Sequence, residues 1–408
     1  MRFQGSRFSA FELTEIGRET MHSNETTTRR QALTRCAALL AAPFFNRGRY
    51  RLFAQDTHEY SARAVRLVRE SLVIDMLNQF LYRADQKDRL HAWLSQPGAF
   101  TAADFQRFRD SGINAINFGD GADNYQAAIR LFAEWNSFLA QYPDWLLRIG
   151  SGADFLKAKT SGRYGIVFGL QTADHFGHVE DVDLFYGLGQ RVSQVTYNFH
   201  NLIGDGAFEE HDHGISEFGA TIIQRMNQVG MAVDCGHAGD RTTLDTFAIS
   251  KQPVIISHGN CRALNPGHPR CVTDEAIQAL AKKGGVLGIN FISFMVKDHE
   301  PTTVDDVIDH IDHVSRLVGI EHVGIGSDIG IESNDLGDPK VLEKILTTAD
   351  PRYRVHHREA VAHLDHQKRM YDLTDALIRR QYTDQQIRLI LGENWRRVLT
   401  AIWNARAV

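Results

Sequence analysis

The chain has 408 residues, 43% of them hydrophobic, and a formal net charge of −5. This length suits one large α/β domain or two smaller ones, and the negative charge argues against a nucleic-acid partner. The four cysteines, at positions 36, 235, 261 and 271, form no C-x-x-C pair, which argues against a disulfide scaffold or a structural zinc knuckle.

The first 55 residues do not read as part of a domain. Arg29 and Arg30 stand side by side, and a short apolar run, residues 36–45, follows them. This arrangement resembles a bacterial twin-arginine export signal, which sends a folded protein to the periplasm or out of the cell; the alternative is a disordered basic tail. We predict an export signal and disordered N-terminus over residues 1–55, one domain over residues 56–408, and no transmembrane segment.

Short apolar runs alternate with longer amphipathic segments from residue 57 onward. The runs predicted to be strands are 71–75, 113–118, 165–171, 192–197, 231–234, 253–257, 285–291 and 322–328. The segments predicted to be helices include 57–70, 104–111, 124–142, 217–228, 240–250, 273–283, 303–318, 359–381 and 384–403. Eight strands in alternation with helices predict a parallel (β/α)8 TIM barrel.

Two histidines directly follow neighbouring predicted strands. His237 follows the fifth strand and His258 the sixth, with a helix-like segment between them. Such strands run parallel, so both histidines emerge at the carboxyl edge, where barrels of this type bind ligands. Two converging imidazoles can hold a borderline-soft divalent metal such as zinc. The alternative is that each histidine only caps a strand end with a hydrogen bond.

Two further charged residues belong to the same predicted edge. Asp328 ends the eighth strand, where it can accept a proton from metal-bound water or ligate the metal itself. Arg270 lies in a Pro/Gly-rich loop beyond the sixth strand, and its forked cation suits a substrate carboxylate. The alternatives are a turn or helix-capping role for Asp328 and a solvated loop charge for Arg270.

Several segments together resemble the membrane (renal) dipeptidase family of zinc metallopeptidases. The segments that carry the resemblance are 234–237 (Asp-Cys-Gly-His), 256–258 (Ile-Ser-His), 270–275 (Arg-Cys-Val-Thr-Asp-Glu), 324–328 (Gly-Ile-Gly-Ser-Asp) and 392–398 (Gly-Glu-Asn-Trp-Arg-Arg-Val). Members of this family carry two zinc ions bridged by a glutamate, so the resemblance implies a (β/α)8 barrel in which His237 and His258 hold one zinc ion. It further implies that Arg270 binds the substrate carboxylate and that Asp328 handles the proton at the tetrahedral step.

The chain departs from the family pattern at four positions. The family's first-strand His-x-Asp pair aligns with Leu77 and Gln79, and its bridging glutamate aligns with Gln171. The histidine that polarises the substrate aligns with Tyr197, which can donate to the developing oxyanion instead. Leucine cannot ligate zinc and glutamine is a poor ligand. We therefore expect one zinc ion rather than two, with Asp328 or a residue of the 198–214 loop beside the histidines; a site without metal stays an alternative.

The predicted function is metal-dependent hydrolysis of dipeptides or similar small amides. Two alternatives remain: a catalytically impaired barrel that binds a small peptide-like ligand without cleaving it, and a hydrolase of another small amide or ester. The predicted partner is a small dipeptide-like substrate. The sequence leaves both a monomer and a homo-oligomer open.

Overall fold

The structure is a computed structural model. It describes residues 48–52, 58–82, 86–332, 343, 347, 349–355 and 361–405. The twin-arginine pattern and the apolar run of the predicted export signal lie outside these residues, so the predicted boundary between residues 55 and 56 stays a prediction.

Eight parallel strands form a closed ring. In chain order they are β1 (Ile74–Asn78), β2 (Ala115–Phe118), β3 (Tyr164–Leu170), β4 (Gln190–Gln194), β5 (Ala232–Asp234), β6 (Ile256–Cys261), β7 (Leu287–Ile289) and β8 (Val323–Ile325). Neighbours pair in parallel from β1 to β5, from β6 to β8, and from β8 back to β1. A bridge between Asp234 and Ile255 closes the gap between β5 and β6. The predicted (β/α)8 barrel is confirmed.

Helices follow the strands and cover the outside of the ring. They are α1 (Ala62–Glu70), α2 (Lys87–Ser95), α3 (Ala102–Asp110), α4 (Tyr125–Gln141), α5 (Gly152–Ser161), α6 (Asp181–Leu188), α7 (Glu217–Val229), α8 (Asp240–Ile249), α9 (Asp274–Lys282), α10 (Ser293–Val296), α11 (Val304–Val318), α12 (Arg369–Arg379), α13 (Asp384–Arg388) and α14 (Asn394–Asn404). In α11 the residues at helical spacing, among them Val307, Ile311 and Val314, are fully buried, as an amphipathic helix on a core requires.

Four short strand segments do not follow from the sequence pattern. Leu146–Ile149 pairs with the first half of β3, and Cys271–Val272 pairs with β6. Arg49–Tyr50 pairs antiparallel with Tyr60–Ser61. Segments of two to four residues are too short for a period of two to be recognised in a sequence.

The first barrel strand lies three residues further along than predicted. Because β1 runs from Ile74 to Asn78, Asp75 lies inside the strand and not at its end. Its buried carboxylate accepts hydrogen bonds from the Ser327 backbone N–H at 2.8 Å and from an Arg369 guanidinium nitrogen at 3.2 Å. Asp75 therefore joins β1, the end of β8 and α12, and takes no place among the side chains at the barrel mouth.

Three predicted helices have different bounds. The helix predicted over 57–70 begins at Ala62, because the Ser61 hydroxyl accepts from the Ala64 N–H and caps it. The helix predicted over 359–381 begins only at Arg369. The helix predicted over 384–403 is interrupted by a π-helical turn over residues 389–393. No helix in the described part of the chain is both long and apolar enough to cross a bilayer.

Candidate active site

The two histidines meet at the carboxyl end of the barrel, beside the seam that joins β5 and β6. His237 follows β5, His258 lies in β6, and their Nε2 atoms are 3.0 Å apart. Asp234 fixes this arrangement, because its Oδ1 accepts the backbone N–H groups of Gly236 (3.0 Å) and Ser257 (2.9 Å). One buried carboxylate thus holds both turns that present the imidazoles. Burial raises the pKa of Asp234 to about 6.

Hydrogen bonds on the far side of each ring set the tautomers. His237 Nδ1 lies 2.7 Å from Asn198 Oδ1, and the amide of Asn198 is oriented by its Nδ2, which donates to the Tyr353 hydroxyl. An amide oxygen can only accept, so His237 Nδ1 carries the proton. His258 Nε2 accepts from an Arg270 nitrogen at 3.0 Å, so its proton lies on Nδ1, 2.9 Å from the Ser257 hydroxyl. Both inward Nε2 atoms therefore carry lone pairs.

This arrangement suits one bound cation. Two nitrogen lone pairs 3.0 Å apart repel each other unless a donor or cation lies between them. Two imidazole ligands of a tetrahedral zinc, each with a bond of about 2.0–2.1 Å, have nitrogens roughly 3.3 Å apart. The Gln171 side-chain oxygen, 3.1 Å from His237 Nε2, is a third acceptor at the same point. His237 and His258, with Gln171 as a weak neutral partner, fit a single metal ion.

The second half of the family's metal site does not fit this chain. Leu77 is fully buried and has no donor atom for a metal. The side-chain oxygen of Gln79 is buried without a hydrogen-bond partner among the described residues, but an amide is a weak ligand. The position of the bridging carboxylate is held by Gln171. The charge that would balance a second divalent ion is therefore missing.

Arg270 lies against the histidine pair. One of its terminal nitrogens donates to His258 Nε2, and the other donates to the Gly236 carbonyl oxygen. Its Nε is buried and has no partner among the residues that the structure describes. The guanidinium thus stands beside the two Nε2 atoms, where it can meet a carboxylate and where it would compete with a cation for the lone pair of His258.

Tyr197 and Asp328 lie on the same edge of the barrel. The Tyr197 ring stacks on the His237 ring with centroids 4.0 Å apart. Tyr197 is 43% exposed as a whole residue. Partial desolvation of its hydroxyl and a hydrogen bond with Tyr353 raise the pKa of Tyr197 above its usual value, so the hydroxyl stays a donor. The carboxylate of Asp328 accepts from Asn290 Nδ2 at 3.0 Å. Burial raises the pKa of Asp328 to about 7, although Arg270 and Asn290 act in the opposite direction.

The polar loop 198–214 does not send a third ligand to the histidines. His200 and His213 both direct Nδ1 at the carboxylate of Asp205, at 2.7 and 2.9 Å. That carboxylate also accepts the His213 backbone N–H, so it organises the loop itself. The loop instead supplies Asn198, which orients His237. No local sequence pattern indicates this role of Asn198 or its contact with Tyr353, because the two residues are 155 positions apart.

A second group of possible metal ligands lies elsewhere in the fold. His58, His366 and Asp372 have ligand atoms within 4.8 Å of one another, and they form the only such group of three His, Cys, Asp or Glu found among the described residues. His366 Nδ1 accepts the Lys368 backbone N–H. His366 Nε2 lies 3.2 Å from an Asp372 carboxylate oxygen, but neither atom forms a hydrogen bond with a described residue.

Two imidazoles whose lone pairs converge at the mouth of a (β/α)8 barrel are typical of the metal-dependent hydrolase class of this fold. The model of the membrane dipeptidase family (Peptidase family M19) matches residues 61–354, and this chain belongs to that family. Family membership supports a dipeptidase-like hydrolase and implies a metal cofactor, which in this family is generally zinc. The resemblance seen in the sequence is confirmed.

Individual relatives agree with this assignment. Dipeptidase tcpJ of Claviceps purpurea is 33% identical over 191 residues, 46% of this chain and 45% of that protein. Dipeptidase verJ of Clonostachys rogersoniana is 29% identical over 270 residues, 65% of this chain and 63% of that protein. The match thus spans about half of the first relative and under two thirds of the second. The solved structure of an amidohydrolase from Pseudomonas aeruginosa, 28% identical, covers 84% of this chain and 99% of its own with a TM-score of 0.69.

Proposed function

We propose that this chain is a metal-dependent dipeptidase that hydrolyses dipeptides or similar small amides with one divalent ion, zinc, on His237 and His258. The observation that carries the proposal is the pair of Nε2 atoms 3.0 Å apart, each with its proton held on the opposite nitrogen. When bound, the metal supplies Lewis-acid chemistry, polarising the scissile carbonyl and acidifying water.

The residues around the pair have separate roles in this proposal. Arg270 binds the substrate carboxylate and so places the scissile carbonyl at the two histidines. Tyr197, protonated and stacked on His237, donates to the oxygen that gains charge. Asp328 accepts the proton of the attacking water and passes it to the leaving amine. A carboxyl group whose pKa is raised to about 7 exchanges protons readily near neutral pH.

The test combines metal analysis with a dipeptide panel. We expect the wild type to bind about one zinc at this site and to cleave at least one dipeptide. His237→Ala should lose both the metal and turnover. Asp328→Asn should keep most of the metal and lose about 10²–10⁴-fold in kcat, the usual contribution of a general base. His366→Ala is the matched control, because it removes a histidine of the other cluster, and it should keep metal and turnover.

A binding protein without catalysis is the second candidate, and the contact of Arg270 with His258 Nε2 favours it. In that case the guanidinium fills the place of the metal, and a dipeptide carboxylate would bind Arg270 directly. A zinc-supplemented wild type that carries no metal at His237, cleaves no dipeptide, and yet binds one with an affinity that falls in Arg270→Lys would decide for this alternative.

We also propose export through the twin-arginine pattern to the periplasm or beyond. Its support is the adjacent pair Arg29 and Arg30 before an apolar run. Replacing both arginines with lysine keeps the charge and removes the pattern, and it should leave the protein in the cytoplasm. Unchanged recovery of the variant outside the cytoplasm would contradict this proposal.

A further inference from the structure

A cavity of about 670 Å³ opens directly beside the histidine pair. Gln171 and Tyr197 line it, and the same two side chains contact His237. The rest of its wall comes from the ends of β1 and β2, from α2 and α4, and from the loops that follow β3 and β4. This volume lies within the range of about 300–1,000 Å³ that small-molecule sites occupy. The cavity is thus a continuation of the candidate active site.

The contacts of the histidines give a bound dipeptide a direction. Arg270 touches His258, whereas Gln171 touches His237 and belongs to the cavity wall. A dipeptide with its carboxylate at Arg270 and its scissile carbonyl at the histidines therefore points its first residue toward Gln171. The side chain of that first residue would enter the cavity. This step rests on the proposed function, which gives Arg270 its role.

The lining of the cavity combines an apolar wall with an excess of negative charge. Leu90, Leu94, Leu131 and Trp135 supply apolar surface. The ionisable residues that line the cavity, apart from histidine and tyrosine, are Asp120, Asp123, Glu134, Asp174 and Lys87. Four carboxylates against one ammonium make a field that favours a cation.

Asp120 is the carboxylate best placed to bind a ligand. Its backbone oxygen accepts the Gln171 N–H at 2.9 Å, so it lies next to the residue that contacts His237. Asp123, Glu134 and Asp174 are exposed, whereas Asp120 is half-buried. Its carboxylate accepts the Gly121 N–H at 2.9 Å and is in no ion pair within the described part of the chain. Gln79, also in the wall, offers a side-chain oxygen that has no described partner.

We propose that the cavity binds the first residue of a dipeptide whose side chain is long and cationic, as in lysine or arginine. The aliphatic stem packs on the leucines and Trp135, and the charged head donates to Asp120. A short side chain would leave the Asp120 carboxylate without a partner, and an anionic side chain would be repelled by it. The substrate class of the site is then a dipeptide that is basic at its first position.

The experiment compares lysyl-glycine with norleucyl-glycine, which keeps the stem and lacks the charge, and with glutamyl-glycine. We expect kcat/KM to be about tenfold or more higher for the lysyl than for the norleucyl substrate, because hydrogen bonds to charged groups have values in this range. Asp120→Asn should remove most of that ratio and leave norleucyl-glycine nearly unchanged. Asp88→Asn, an exposed carboxylate of α2 outside the lining, is the matched control and should keep the ratio.

Binding measurements separate a failure of this inference from a failure of the proposed function. If no dipeptide is cleaved, the proposed function fails, and calorimetric titration of intact lysyl- and norleucyl-glycine then tests the cavity alone. Tighter binding of the lysyl compound, lost in Asp120→Asn, would support the subsite even in an inactive protein. The inference would be overturned if lysyl- and norleucyl-glycine bound equally well or if glutamyl-glycine were preferred. It would also be overturned if the ratio of lysyl to norleucyl affinity were unaffected by Asp120→Asn in folded protein.

Discussion

Asn198→Ala is expected to weaken zinc binding without touching a metal ligand. Asn198 Oδ1 lies 2.7 Å from His237 Nδ1 and keeps the proton on that nitrogen. Without this acceptor, His237 loses one neutral hydrogen bond, worth about 0.5–1.5 kcal/mol, and its Nε2 is no longer held as the lone-pair nitrogen. Partners of metal-bound histidines typically contribute about 10–100-fold in affinity, or roughly 1.4–2.7 kcal/mol.

The assay is an equilibrium zinc titration against a chromophoric chelator at fixed pH. Tyr353→Phe is the comparison, because it removes the partner that orients Asn198 Nδ2 at 2.7 Å but keeps the Asn198 oxygen as an acceptor for His237 Nδ1. We expect about 10–100-fold weaker binding in Asn198→Ala and a smaller loss in Tyr353→Phe. The reasoning is refuted if Asn198→Ala binds zinc as tightly as the wild type, or if both variants lose the same amount.

Two further outcomes concern pH and stability. Asp328 must be ionised to accept a proton, so kcat/KM should rise with pH through an acid limb at or below about 7, since a bound cation lowers the pKa of Asp328 further. Asn290→Ala removes a hydrogen bond to the ionised form and should move that limb to higher pH. A limb that does not move would exclude Asp328 as its source. Arg369→Met leaves the fully buried Asp75 without its cation and should cost about 3–5 kcal/mol in urea unfolding. Arg388→Met, which removes a partly exposed ion pair with Glu70, should cost no more than about 1 kcal/mol, and equal losses in the two variants would contradict the argument.

The pKa of Asp328 also sets the direction in which it affects stability. Its folded-state pKa, about 7, lies above that of an aspartate in an unfolded chain, so the folded state holds the proton more tightly. Its contribution to the free energy of unfolding is therefore fully present below about pH 4 and is lost as the pH rises toward 7. Asp328→Asn should flatten this part of the stability profile.

The sequence was sufficient to predict the barrel because short apolar runs alternate with amphipathic segments along the chain. Runs such as Gly165–Gln171 are apolar on both faces, as a strand between barrel and helices must be, and β3 lies within one residue of that prediction. The first strand was misplaced because every residue of β1 is buried, Asp75 and Asn78 included, so that a charged residue read as its end lies inside it. Nothing near Asp75 in the sequence indicates that the distant Arg369 pairs with it.

At the site, sequence order predicted which edge would carry the histidines but not how they are oriented. His237 follows β5 as predicted, whereas His258 lies inside β6 and not after it, and the barrel brings the two together. Their tautomers depend on Asn198, Ser257 and Arg270, whose positions follow from loop packing and not from any spacing. A metal ligand from the 198–214 loop was expected on composition alone, but two of its histidines, His200 and His213, instead bond to Asp205.

The carboxylate of Asp234 has a consequence for redesign of the protein. It bonds to the backbone after β5 and to the backbone of β6, so it ties together the two turns that present the imidazoles. These two bonds involve none of the residues at the other ligand positions of the family. A second metal could then be engineered by side-chain exchange alone, beginning with Gln171→Glu, whose carboxylate would start within about one hydrogen-bond length of His237. The seam would serve as the fixed half of a rebuilt dinuclear centre.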